Sequence, residues 1–179
     1  MAYEESKYEV IRSEKNYEIR HYADRLVVQT DLGAGSSAAF RRLFRYITGA
    51  NRSAAKVSMT VPVMQSEKVQ MTVPVQQAEL GGGMVMQFYL PAKFTLETAP
   101  TPTDPAVRLN RVAGGDFAVI RYAGRSSDRR FQAQSKILQD ALKADGLKVR
   151  GAPSKATYNA PFTPYFLRRN EAMVEISAQ

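Results

Sequence analysis

An internal repeat constrains this chain more than any other feature. Laid against itself at a shift of 91 residues, the sequence brings Arg20 onto Arg111, Val28 onto Val119, Gly33 onto Gly124, Ser36 onto Ser127 and Phe40 onto Phe131. In each copy an extended apolar stretch (Leu26–Val28, then Phe117–Ile120) passes through a glycine and a serine into a helical pattern. Glycine opens a turn that other residues resist, and a serine hydroxyl can cap the free N–H groups at a helix start. Repetition at this period predicts one strand-helix unit used twice, over about residues 8–96 and 106–176.

In the first copy Phe40, Leu43, Phe44 and Ile47 fall at i, i+3, i+4 and i+7, one apolar stripe of a helix ended by Gly49 and Asn51. The second helix spans about Asp128 to Asp145, buries Phe131, Leu138, Ala141 and Leu142, and stops at Gly146. Its stripe is weaker, with Gln134 where Leu43 stands in the first. Alternation and β-branched residues predict further strands at Tyr8–Arg12, Tyr17–Tyr22, Met84–Leu90, Val107–Arg111 and Ala172–Ile176. Glu97–Pro105 cannot pair as a central strand, because each proline lacks a donor, so it reads as the connection between the halves. Neither half is long enough for a large core of its own. The expectation is one α+β domain over residues 1–179, with both helices on a shared sheet.

The absence of cysteine excludes disulfides, thiolate metal sites and cysteine nucleophiles. A net charge of +8 favours an acidic partner: nucleic acid, an anionic membrane surface or a carboxylate-bearing small molecule. The basic residues are scattered as pairs such as Arg41-Arg42 and Arg168-Arg169, without an RNA-recognition signature, so nucleic acid is not the expected partner. No apolar run approaches the roughly 20 residues of a membrane span, and the first residues lack the basic-then-apolar pattern of a secretion leader. A cytoplasmic protein is expected. Gly81-Gly-Gly83 lacks the residues of a phosphate or dinucleotide loop, no nucleophile elbow precedes a helix, and one histidine restricts both metal and triad chemistry. The inventory points to ligand binding without catalysis.

Two near-identical strings, Lys56-Val-Ser-Met-Thr-Val-Pro-Val63 and Lys68-Val-Gln-Met-Thr-Val-Pro-Val75, lie a few residues apart. Proline holds the preceding valine extended and removes a donor, so each string reads as a strand end near an edge or bulge. Met59 and Met71 either pack into the core or line an apolar ligand cleft. The order Phe44-Arg-Tyr-Ile-Thr-Gly-Ala-Asn51, then Met-Thr-Val-Pro-Val, then Pro164-Tyr-Phe-Leu-Arg-Arg-Asn-Glu171, with Tyr17-Glu-Ile-Arg20 ahead of them, resembles the SOUL haem-binding protein family from about Tyr8 to Ile176. The resemblance implies an eight-stranded antiparallel barrel-like sheet carrying two helices, akin to bacterial effector-binding domains. It also implies cytosolic, non-covalent binding of haem or another tetrapyrrole in an apolar cleft beside the first helix. Carried onto this chain, it implies site residues Phe40, Arg41, Phe44 and Arg45 on that helix, and Tyr165 and Arg168 in the C-terminal motif. Met59 joins them as a cleft-lining methionine.

Arg41 and Arg45 are four residues apart and therefore neighbours on one helix flank. A flat macrocycle resting on exposed phenylalanine would let both guanidiniums pair with its propionates, each contact contributing about 1.5–3 kcal/mol. In the plainer alternative Phe40 and Phe44 face the sheet and the arginines form a solvated rim. The spacing favours the sheet for Phe44 and leaves Phe40 open. His21, the single histidine, is the conventional axial ligand for haem iron, yet nothing in the sequence brings its strand beside the first helix. Met59, Met64, Met71 or Tyr165 are alternative ligands, and the iron can also lack a protein ligand altogether. A second class of function is an effector-binding or protein-interaction module, in which Glu171 or Glu175 attracts a cation into an apolar pocket. Its plain counterpart is a salt bridge from Glu171 to Arg168 or Arg169.

Overall fold

Val27 and Val28 are adjacent and both fully buried. Consecutive strand side chains point to opposite faces, so the sheet that holds them is covered on both sides. The structure is a computed structural model and describes residues 4–33, 35–53, 56–58, 60–67, 83–159 and 163–177. In chain order the elements are β1 (Glu4–Glu5), β2 (Glu9–Ser13), β3 (Glu18–Tyr22), β4 (Arg25–Asp31), α1 (Ser36–Ile47), β5 (Thr60–Val61), β6 (Val63–Glu67) and β7 (Met84–Tyr89). They continue with β8 (Arg108–Val112), β9 (Gly115–Ala123), α2 (Asp128–Ala144), β10 (Val149–Thr157), a 3-10 turn (Tyr165–Leu167) and β11 (Arg169–Ile176).

One antiparallel sheet, curled into a half-barrel, runs in the order β2-β3-β9-β11-β10-β6-β7-β4-β8. It has nine strands where the resemblance implies eight; the additional one is β2, an exposed edge strand formed by the N-terminal arm against β3. A separate parallel pair joins β1 to β5, just before the Val61–Pro62 bond that separates β5 from β6. The first Met-Thr-Val-Pro-Val string is therefore a strand end, while Met59 and the whole second string lie outside the described residues.

Both helices cover the same face of the sheet. Against α1 pack Val28, Met86 and Phe88; under α2 lie Ile120, Ala172 and Val174, meeting Leu138 and Leu142. The other face carries a third core that includes Tyr22, Val27, Met64, Tyr89 and Met173. Among the described residues no helix is long and apolar enough to cross a membrane.

The two helix starts differ in a way the repeat conceals. Ser127 is the N-cap of α2 and its hydroxyl accepts from the backbone N–H of Arg130. In α1 the cap position is Gly35, at φ +89°, and Ser36 is already helical. The positive φ that the repeat assigns to Gly33 thus falls at Gly35, whereas Gly124 does adopt it, with the Arg130 guanidinium lying where a Cβ would stand. Ser127→Ala is expected to cost about 1 kcal/mol and Ser36→Ala almost nothing, which thermal melts of the two variants will compare.

Buried tyrosines set the alkaline limit of stability. Desolvation pushes the phenols of Tyr22, Tyr46 and Tyr122 up to about 12. Tyr17 also rises to about 12, through desolvation and then through its hydrogen bond to Asp145. A group whose pKa is raised by folding contributes stability that is fully present below its unfolded value, about 10 here, and lost as pH rises through the folded value. Stability is therefore expected to hold up to about pH 10 and to fall between about 10 and 12. Urea titrations across that range check it, together with tyrosinate absorbance, in which the share of these four buried phenols should appear only with unfolding.

Candidate functional site

The buried axis of α1 runs through Ala39, Leu43, Tyr46 and Ile47. Phe40 is consequently half-buried at the edge of the stripe, its ring meeting Phe88 of β7 edge-on at 5.2 Å. Phe44 lies one step further round and is 45% exposed, stacked on Phe40 at 5.9 Å with an interplanar angle of 15°. The expectation that Phe44 faces the sheet is corrected: Leu43 and Ile47, four residues apart with Tyr46 between them, take the sheet-facing arc and rotate Phe44 outward. Arg41 and Arg45 are exposed beyond it, and among the described residues neither has an ion-pair or hydrogen-bond partner.

From the Phe40–Phe88 contact a row of residues crosses the sheet. Phe88 pairs with Val63 of β6, and Val63 with Thr157 of β10, so two strand spacings, about 10 Å, separate the ends of the row. Val63 packs into the core under α1. Thr157 shares a 3.0 Å hydrogen bond with Ser126, just ahead of α2. Ser126 lines a cleft of about 560 Å³ together with Arg125, Ser127, Pro164, Tyr165 and Arg168. The row thus runs from Phe40 on α1 at one end to Ser126, on the wall of the cleft that holds Tyr165 and Arg168, at the other. Tyr165 is 54% exposed and lies under the Arg125 guanidinium at 5.4 Å, while Arg168 Nε donates to the carbonyl of Thr163 at 2.7 Å.

Arg125, Ser126 and Thr157 are not singled out by the sequence, whereas Val63 closes the first Met-Thr-Val-Pro-Val string. The first two stand in plain view before the second helix; Thr157 escaped because β10 carries no strand pattern.

Other candidates stand elsewhere. His21 is on β3, which pairs with β2 and β9, whereas α1 packs on β4 and β7. Its Nδ1 lies 2.6 Å from Asp116 Oδ1. Met64 belongs to the core on the face away from the helices. Among the described residues no cluster of histidine, aspartate and glutamate is arranged to hold a metal ion.

Glu171 is wholly buried, but not as an empty cation trap. Its Oε2 accepts from Arg20 Nη1 at 3.0 Å and from the Tyr158 hydroxyl at 2.5 Å. Its Oε1 accepts from Arg169 Nε at 3.0 Å and Nη2 at 2.8 Å. This is the salt bridge to Arg169 that the sequence offered as the plain alternative, reinforced from β3. Desolvation, followed by the nearby Glu171 carboxylate, drives the Tyr158 phenol far above its ordinary range, so it remains a donor. Burial works against the charge on Arg20, but its contacts with Tyr22 and Glu171 outweigh that and hold its pKa above the ordinary value. Glu175, the other acidic candidate, meets Arg150 at 3.5 Å near the surface.

Comparison with solved structures shows the same fold at very low identity. The C-terminal domain of EcmrR superposes with a TM-score of 0.61 at 8% identity, covering 91% of this chain and 98% of that one. An uncharacterized conserved protein from Listeria innocua gives 0.62 at 12% identity, over 92% and 93% of the two chains. A hydrolase from the same organism gives 0.61 at 11%, over 93% and 94%. No curated protein matches the chain significantly by sequence. The profile of the SOUL heme-binding protein family matches residues 3–175, nearly the whole length, and on that match the chain belongs to the SOUL heme-binding protein family.

Proposed function

We propose that this protein binds haem or a related tetrapyrrole in the groove between α1 and the turn before β11. It does so non-covalently and without transforming the ligand, for buffering, transport or sensing in the cytoplasm. The observation that carries this reading is the stacked Phe40–Phe44 pair, with 45% of Phe44 exposed beside the guanidiniums of Arg41 and Arg45, which are unpaired among the described residues. An exposed aromatic ledge edged by cations suits an apolar macrocycle that ends in carboxylates. Tyr165 and Arg168 form the opposite rim, and Met59, within the first string, is the cleft-lining methionine. Family membership supports the ligand class, and the lack of cysteine supports a non-covalent mode. The likeness to the hydrolase from Listeria innocua, at 11% identity, extends to the fold alone.

The same reading takes the chain as two copies of one unit, about 8–96 and 106–176. Exchanging β3, β4, β6 and β7 for β8, β9, β10 and β11 reverses the strand order without otherwise changing it, which supports the duplication. Only the first copy carries the aromatic ledge: at the positions of Phe40, Arg41, Phe44 and Arg45 the second has Phe131, Gln132, Ser135 and Lys136.

Titrating purified protein with hemin should give a shifted Soret band with saturable, one-to-one uptake; unsaturable uptake would sink the proposal. His21→Ala should leave both band position and affinity unchanged, because His21 is turned to Asp116 on a strand that does not carry α1. A lost or displaced band in that variant would move the site to β3.

A further inference from the structure

The 3-10 turn ahead of β11 exposes three successive large apolar side chains: Tyr165 at 54%, Phe166 at 64% and Leu167 at 65%. Phe166 meets the edge of Tyr165, at 5.6 Å, in a T-shaped contact. Leaving such side chains in water is unfavourable, and a soluble surface seldom groups them without a partner. Basic side chains gather near the turn. Arg125 lies over Tyr165, Arg168 follows Leu167, and Arg129 and Arg130 start α2, close behind the Ser126–Ser127 wall of the adjoining cleft. The nearest acidic residue of that segment, Asp128, is taken by Lys155 Nζ at 2.7 Å.

We infer that the Tyr165–Leu167 turn is a wedge that inserts between the headgroups of an anionic phospholipid surface, with Arg125, Arg129 and Arg130 against the lipid phosphates. The shape favours lipid over protein: a short protruding turn fits a deformable interface, where aromatic and aliphatic tips gain apolar contact while guanidiniums stay at headgroup level. The excess of 25 basic over 17 acidic residues points the same way. This inference does not need the haem reading, although the wedge borders the proposed groove and would bring it to the membrane surface.

Flotation of the full chain with phosphatidylcholine vesicles, alone or with about a third phosphatidylserine, tests it. Binding is expected only to the anionic vesicles and should weaken as salt rises. Phe166→Ser with Leu167→Ser should reduce it about tenfold or more, and Arg125→Glu severalfold. Phe44→Ser, which removes the exposed ring of the haem ledge on α1 and leaves the wedge intact, should bind anionic vesicles like the parent, which separates failure of this idea from failure of the haem site. Ile137→Ser, at an exposed apolar position on α2, serves as the control and should bind like the parent. Absence of binding to anionic vesicles overturns the inference, as does binding that survives loss of the wedge or is lost equally in the Ile137 control. Concentration-dependent self-association abolished by the wedge variant, with no vesicle binding, overturns it in favour of a protein interface.

Discussion

Glu171→Ala is expected to destabilise the fold by about 3–5 kcal/mol, the usual loss when one member of a buried ion pair is removed. The cost comes from what stays behind. Arg20 retains a side chain only 4% exposed, and its remaining carboxylate, Glu18, is 41% exposed. Arg169 keeps Glu5 at 2.9 Å but loses both bonds to Glu171, and the Tyr158 hydroxyl loses its acceptor. Glu171→Gln, which keeps an acceptor and a similar volume, should fall between parent and alanine variant. Replacing Glu171, Arg20 and Arg169 together by methionine should recover much of the loss, because it removes the stranded charges along with their partner. Urea denaturation of the three proteins measures the series. A loss below about 1 kcal/mol for Glu171→Ala would mean that these groups behave as a solvated surface pair. The ordering matters beyond stability. Glu171 closes a clamp between β3 and β11, so it is not a free carboxylate for the cation-binding role considered from the sequence.

Reversing both charges on the α1 rim, Arg41→Glu with Arg45→Glu, is expected to weaken hemin binding by about a hundredfold or more. Each lost guanidinium–propionate contact contributes about 1.5–3 kcal/mol, roughly tenfold or more, and the new carboxylates add repulsion. Both side chains are exposed and unpaired among the described residues, so the urea midpoint should stay within about 0.5 kcal/mol of the parent. The weakening should diminish in high salt, as expected for charges at a solvated rim. Phe44→Ser would then test the ledge by itself, with an affinity loss that salt does not relieve. Unchanged hemin affinity in the double reversal would refute the rim as the seat of the propionates.

Much of this was readable in the chain. Period and patterning located both helices, seven of the strands and the proline-rich connection, because each of those segments carries its own signal: an apolar stripe for α1, alternation for β7, missing donors between Glu97 and Pro105. The ordered motifs located the family, and the repeat foretold one shared sheet with both helices on it. Three things needed the tertiary structure. β10, with Gly151 and Pro153 in its course and a register irregularity between Arg150 and Ser154, is a strand only because β6 and β11 hold it from either side. The outward turn of Phe44 depended on which arc of α1 the sheet selects; a helical spacing names the stripe but not the angle at which it docks. Most consequential, Glu171 and Arg20 are 151 residues apart, and no local pattern reveals that a carboxylate on β11 meets a guanidinium on β3. Local sequence determined the elements and the kind of ligand surface they can present; long-range pairing decided which of the charged side chains are spent inside the fold and which remain for a ligand.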